Sequence, residues 1–220
     1  MSGRAEMGSK PTLAVIGGTG PLGSGLARRF ARAGYAIVIG SRSLERASAT
    51  AAALPSTAAR GAANVAAAMA GDIVIITVPW ASHAQILEEL APHLAGKLVI
   101  DTTVPLMPPR VARVQMPPAG SAALAAQQRL PHARVVAAFH NVAAHKLQKE
   151  DPIDCDVLVF GDARADRDLV VQLIEAIGLK AVHAGPLANS VAGEALTSVL
   201  IGINRTYKAD GAGIRITGIA

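Results

Sequence analysis

Aromatic side chains are scarce in this chain: one Trp, two Tyr and three Phe make 3% of its 220 residues. Any core must therefore be aliphatic, and an apolar fraction of 51% supplies it. The scarcity also argues against a single-stranded nucleic-acid surface, where bases stack on exposed rings. Lys and Arg outnumber Asp and Glu by 21 to 16, a net charge of +5. These cations are scattered along the chain, so no nucleic-acid partner is expected; a mildly basic surface suits a small polyanionic ligand. Cys155 is the sole cysteine. A disulfide within the chain is excluded, and a reducing, cytoplasmic compartment is expected. Asp154 and Asp156 flank that thiol and disfavour its thiolate, which argues against a nucleophile. No apolar run approaches the roughly 18 residues of a membrane-spanning helix, and none near the start resembles a signal peptide. No membrane partner is expected. His-x-x-x-His pairs and Cys/His clusters are missing too, so no metal is expected.

What is present alternates. Leu13–Ile16, Ala36–Ile39, Ile73–Ile76, Leu98–Ile100, Val135–Phe139 and Val157–Phe160 are short apolar runs, the pattern of strands buried on both faces. A weaker strand is read near Ala58–Arg60 and another at Ala181–Val182. Helical stretches separate them, including Leu44–Leu54, Ser82–Leu90, Ser121–Leu130, Asp166–Ile177 and a long apolar one over Asn189–Tyr207. Pro105–Pro118 holds five prolines and no periodicity, which predicts a long loop over a sheet end. The tail Gly211–Ala220 is read as a further short strand.

Gly18, Thr19, Gly20, Pro21, Leu22 and Gly23 form a G-x-G-x-x-G turn with a strand before it and a helix after it. In that context the glycines serve a tight turn at Gly18, backbone approach to a pyrophosphate at Gly20 and helix–strand packing at Gly23. The alternative is a purely structural glycine turn. At the end of the second strand an NAD site places an acid. Here Ser41 and Arg42 follow Gly40, with Arg46 one turn on. A hydroxyl and two guanidiniums suit a 2′-phosphate, so NADP(H) is expected over NAD, against the alternative of a solvated arginine pair. The fold class is therefore α/β: a doubly wound Rossmann-type parallel sheet with a small C-terminal domain. Residues 1–150 are expected to form the NADP-binding domain. Residues 151–220 are expected to form a smaller α/β region that completes a second-substrate cleft and a homodimer interface.

The chain resembles the NADPH-dependent coenzyme F420 reductases (F420H2:NADP oxidoreductases). The resemblance rests on IGGTGPLGSGLARR at Ile16–Arg29, IGSRSLERA at Ile39–Ala47 and TVPW at Thr77–Trp80. It continues through VVAAFHNV at Val135–Val142, DCDVLVFGD at Asp154–Asp162 and HAGPLANS at His183–Ser190. LTSVLIGINRTYK at Leu196–Lys208 and GIRITG at Gly213–Gly218 complete it. It implies an NADP-dependent oxidoreductase that passes hydride to or from F420. By this likeness Thr19, Ser41, Arg42 and Arg46 serve the NADP phosphates. Val78, Pro79, Trp80 and His83 are counted with the cofactor site. His140, Asn141, Pro186, Leu187, Asn189 and Ser190 line the second-substrate cleft. Two departures, FHNVAA at Phe139–Ala144 where FHTVPA is usual and His183 before AGPL where Asp is usual, leave other acceptors open: a pterin, a flavin or an imine. A non-catalytic NADP sensor is a further alternative.

Hydride transfer between two ring cofactors asks little of side chains. No certain catalytic residue is expected; His140 is the candidate for substrate orientation. His83 is read mainly as a solvated residue at a helix start, and Trp80 either packs on a ligand ring or fills its turn. The Leu196–Ile203 face is read as core or dimer interface.

Overall fold

The computed structural model describes residues 10–219. Its strands are β1 (Leu13–Ile16), β2 (Ile37–Ser41), β3 (Ala59–Ala63), β4 (Ile73–Ile76), β5 (Leu98–Asp101), β6 (Arg134–Ala137), β7 (Asp156–Val159) and β8 (Lys180–His183). The helices are α1 (Pro21–Arg32), α2 (Leu44–Ala52), α3 (Asn64–Ala70), α4 (Trp80–Leu90), α5 (Ala122–Arg129), α6 (Ala144–Leu147), α7 (Arg164–Ala176) and α8 (Ser190–Tyr207). The first six strands form one parallel sheet in the order β3-β2-β1-β4-β5-β6. The order reverses between β1 and β4, and in such sheets ligands bind where the strand ends diverge at that reversal. The expected doubly wound sheet is thus observed.

Alternate residues of each strand face opposite sides, and in the inner strands β1, β2, β4 and β5 both sides are buried. Leu13, Val15, Ile73 and Ile75 enter one apolar cluster with Leu26 and Phe30 of α1. Ala14, Ile16, Val74 and Ile76 enter a second with Leu87 and Leu90 of α4. This is why the strand sequences are apolar without alternation. Burying one such Leu contributes roughly 1.5–3 kcal/mol before entropic costs.

The chain after β6 folds back on the sheet edge. β7 and β8 pair in parallel as a separate two-stranded sheet. Ala137 and Phe160 exchange antiparallel backbone bonds of 2.8 and 3.0 Å, which join it to β6. Val157, Val159, Val170 and Ile174 share the cluster that holds Val15 and Ile37. Arg29 of α1, although buried, spends its guanidinium on the carbonyls of Lys146, Leu147, Lys149 and Asp151 at 2.8–3.3 Å.

Three expectations need correction. The tail makes no strand among the described residues; Asp156 N–H donates to Ile214 O at 2.8 Å, and Ile216 N–H goes to the Asp156 carboxylate at 2.7 Å instead of to backbone. A side chain has taken the place of the second ladder bond. β6 ends at Ala137, short of Phe139, whose φ of 70° lies in the left-handed region that non-glycine residues avoid. The positive φ of the glycine turn falls on Gly17, at 77°, and not on Gly18. Gly18 is needed for space: a Cβ there would lie 2.7 Å from Val15 O.

Candidate functional site

The crevice begins at the turn after β1. α1 starts at Gly20 with no side-chain cap and no acid in its first turn, so its first N–H groups keep their positive end free for an anion. A Cβ on Gly20 would meet only Gly17 O, at 3.4 Å, so the open space beside it is available to a phosphate. Gly23 is the opposite case. A Cβ there would lie 2.5 Å from Thr77 Oγ1 and 2.8 Å from Gly18 Cα, so glycine brings α1 against the β1 and β4 ends. Val78 lines this contact from below, with Cγ1 2.9 Å from the position of a Gly17 Cβ.

Ser41 ends β2 almost buried, and its Oγ accepts from Ser43 N–H at 3.3 Å. Arg42 and Arg46 are exposed, and among the described residues no carboxylate forms a salt bridge with either guanidinium. Ser43 caps α2 by accepting from Arg46 N–H at 3.2 Å. That cap holds the Arg46 backbone in place beside Arg42. The donor set fits a nucleotide carrying an extra phosphate.

At the next strand end, Pro79 is exposed and Trp80, first residue of α4, is half-buried. His83 is not solvated as expected: it is 0% exposed, and its Nε2 donates to Asp101 Oδ2 at 2.6 Å. The helix phase explains this, because His83 sits three residues into α4 on the face that carries Ile86, Leu87 and Leu90 inward. Contact between His83 and a cofactor is thereby closed off, and Trp80 shields it, ring centroids 5.4 Å apart. Asp101 also accepts from Thr103 N–H at 2.8 Å. Burial alone would push its carboxyl up, yet the His83 ring and the Thr103 donors hold it below the usual carboxylate value.

The positive φ at Phe139 turns the chain so that His140 and Asn141 point into protein. Burial holds the His140 imidazole down to about 4, against an opposing pull from Asp101. Its Nε2 is buried without a hydrogen-bond partner among the described residues. Asn141, expected in the cleft, donates instead to Asp156 O at 2.7 Å and to Cys155 Sγ at 3.2 Å. Cys155 is buried and its thiol is pushed up, chiefly by burial rather than by its acidic neighbours.

The Gly185–Ser190 turn is half available. Pro186 and Asn189 are exposed, whereas Leu187 and Ser190 are buried. Leu187 N–H donates to Asp162 at 2.9 Å, and Asn189 N–H donates to Pro186 O at 2.9 Å, so neither is free for a ligand. His183 reaches Asp168 on α7, 3.3 Å away, so that departure from the family pattern belongs to the small sheet.

Sequence reasoning overlooked Asp101, Ser121 and Glu194. Glu194 of α8 is 0% exposed and accepts from Ala122 N–H at 2.6 Å and Ala123 N–H at 3.0 Å, capping α5. Ser190 Oγ lies 2.8 Å from Ser121 Oγ beside it. Burial pushes the Glu194 carboxyl up to about 8 despite those donors. The available signals were one acid inside an apolar helix and one acid closing an apolar strand.

Residues 12–105 match the family model described as NADP oxidoreductase, coenzyme F420-dependent. The F420-dependent NADP reductase of Methanocaldococcus jannaschii is 37% identical over 94% of this chain and 98% of the relative. The chain belongs to the F420-dependent NADP reductase family. The family member from Methanothermobacter thermautotrophicus is 39% identical over 94% of this chain and 95% of its own length. A crystal structure described as a candidate F420-dependent NADP reductase, from Arthrobacter sp. FB24, shares the fold. Its TM-score is 0.80 at 24% identity, over 94% of this chain and all of that one.

Proposed function

We propose that this protein transfers a hydride between NADP(H) and the deazaflavin coenzyme F420. The proposal rests on two unlike sets of groups, which we assign to the two walls of one cleft at the reversal of the strand order. One is the uncapped α1 end with the Arg42 and Arg46 guanidiniums. The other is Trp80, the proline-rich strap of residues 104–120 and the exposed Pro186 and Asn189. When bound, the two cofactors bring the reactive carbons themselves: nicotinamide C4 and deazaflavin C5.

The protein's part is position. The N–H groups at the α1 start, with Thr19 beside them, hold the pyrophosphate, and Gly20 leaves room for it. Ser41, Arg42 and Arg46 hold the 2′-phosphate. The strap excludes water from the second site. His140, held down to about 4, is neutral at ordinary pH and serves orientation rather than proton supply. Residues 1–150 act as the NADP domain, and 151–220 complete the second cleft. No described helix is long and apolar enough to cross a membrane; a cytoplasmic compartment is proposed from the single, unpaired cysteine. Val191, Val199, Ile203 and Tyr207 expose apolar surface along α8 and support a homodimer through that face.

The test is turnover: purified protein with NADPH should bleach the visible absorbance of F420. Intact NADPH binding with no bleaching would refute the assignment, and reduction of a pterin or an imine under the same conditions would redirect it.

A further inference from the structure

The Asp101–His83 pair is more than a buried ion pair, because of what stands in front of it. His83 lies against Trp80 with rings 5.4 Å apart and tilted by 33°. Trp80 is the sole tryptophan of the chain and half-buried at the β4 end, the reversal side of the sheet. Behind it, His83 Nε2–H meets Asp101 Oδ2 at 2.6 Å, and both side chains are 1% exposed. Asp101 also takes Thr103 N–H at 2.8 Å, while Thr102 and Thr103 hydroxyls donate to Ile76 O and Val78 O at 2.8 and 3.4 Å. The indole, the imidazole, the carboxylate and the root of the proline-rich strap therefore form one connected stack.

A lone imidazole against an indole could rotate about two side-chain bonds. A charge-assisted bond to a buried carboxylate removes that freedom. A solely structural pair would be costly here: two charged or polar groups leave water, and a well-packed apolar pair usually serves stability as well or better. His83 Nδ1 is also left buried without a partner among the described residues.

We propose that His83 and Asp101 are positioning residues for the acceptor ring: together they fix the Trp80 indole as one wall of the second-substrate site. This rests on the proposed NADP–F420 reaction. The acceptor is a flat conjugated heterocycle, and an immobilised indole meets it at low entropic cost.

His83→Gln, Asp101→Asn and Trp80→Leu are compared with the wild type for F420 KM, kcat and NADPH Kd. KM for F420 is expected to rise about 2- to 12-fold in each, the scale of one aromatic contact, with kcat and NADPH Kd little changed. The steady-state fluorescence anisotropy of Trp80 is expected to fall in the first two variants. A merely structural pair would lower the melting temperature and leave both KM and anisotropy of the folded enzyme unchanged; that result overturns the proposal. An equal rise in NADPH Kd also overturns it, since the indole would then serve the nicotinamide. If the two buried variants do not fold, Trp80→Leu decides, because Trp80 is partly exposed: unchanged KM refutes the assignment. If the wild type does not turn over F420, the reaction assignment fails, and the anisotropy decides on the pair by itself.

Discussion

Two buried groups should pull the acid stability of this protein in opposite directions, and removing either should expose the slope of the other. His140 is held at about 4 against an ordinary 6.5, so between those values the unfolded chain takes up a proton that the folded one refuses. Stability is therefore lost as pH falls through that window. From pH 7 to pH 5 the loss works out at about 2 kcal/mol, taking 1.36 kcal/mol per unit. Glu194 is raised from 4.5 to about 8, so here the folded state holds the proton more firmly. Its contribution is full below the lower value and is lost as pH rises. The same step from pH 7 to pH 5 recovers about 2–3 kcal/mol. In the wild type the two oppose each other. His140→Gln should become more stable, relative to its own value at pH 7, as the solution is acidified to pH 5. Glu194→Gln should become less stable over the same step. Urea unfolding at half-unit pH intervals reads both slopes, and constant offsets from lost packing drop out of the comparison. Parallel curves for wild type and both variants would refute the reasoning, because neither group would then carry a shifted proton affinity.

Other outcomes follow from the cofactor wall. Arg42→Ala should weaken NADPH binding about 10- to 150-fold and NADH binding hardly at all, the scale of a lost charge-assisted phosphate contact; equal losses in titration of both nucleotides would count against a 2′-phosphate site. Gly20→Val should abolish NADPH binding with the fold intact, since its Cβ meets only Gly17 O at 3.4 Å; normal binding would misplace the pyrophosphate. Gly23→Ala should instead cost about 1–3 kcal/mol of stability in the same unfolding assay, because the methyl collides with Thr77 Oγ1 and Gly18 Cα. His140→Ala should slow turnover by about 5- to 30-fold, not the 10²–10⁴-fold of a lost general acid or base. Deuterium from labelled NADPH should appear on the deazaflavin, and its appearance in solvent would exclude direct transfer.

Most of the sheet was legible because both faces of its inner strands are covered. Leu13–Ile16 and Ile73–Ile76 carry no polar residue to disguise them. β3 was harder: Ala59–Ala63 is an edge strand with one buried residue, so little apolar signal marks it. The pairing of β7 with β8 had a local signature, but its antiparallel bridge through Phe160 did not. His83 was misread because a polar residue near a helix start is normally solvated. Asn141 was read as a cleft residue because its motif adjoins the cleft, but its side chain bonds to Asp156 O; His183, noted only as a departure from the family pattern, reaches Asp168.

The sequence by itself determined the alternating α/β plan, the glycine turn and the two exposed arginines that follow β2, because each depends on residues adjacent in the chain. A turn of glycines between a strand and a helix, or two arginines one helical turn apart, carries its geometry with it. Tertiary structure alone decided which polar groups lose water. Asp101 meets His83 across 18 positions, and Glu194 meets Ala122 across 72. Whether such a group is a solvated ornament or a buried charge depends on what the distant segment places against it, and proton affinity follows burial and partner rather than residue type.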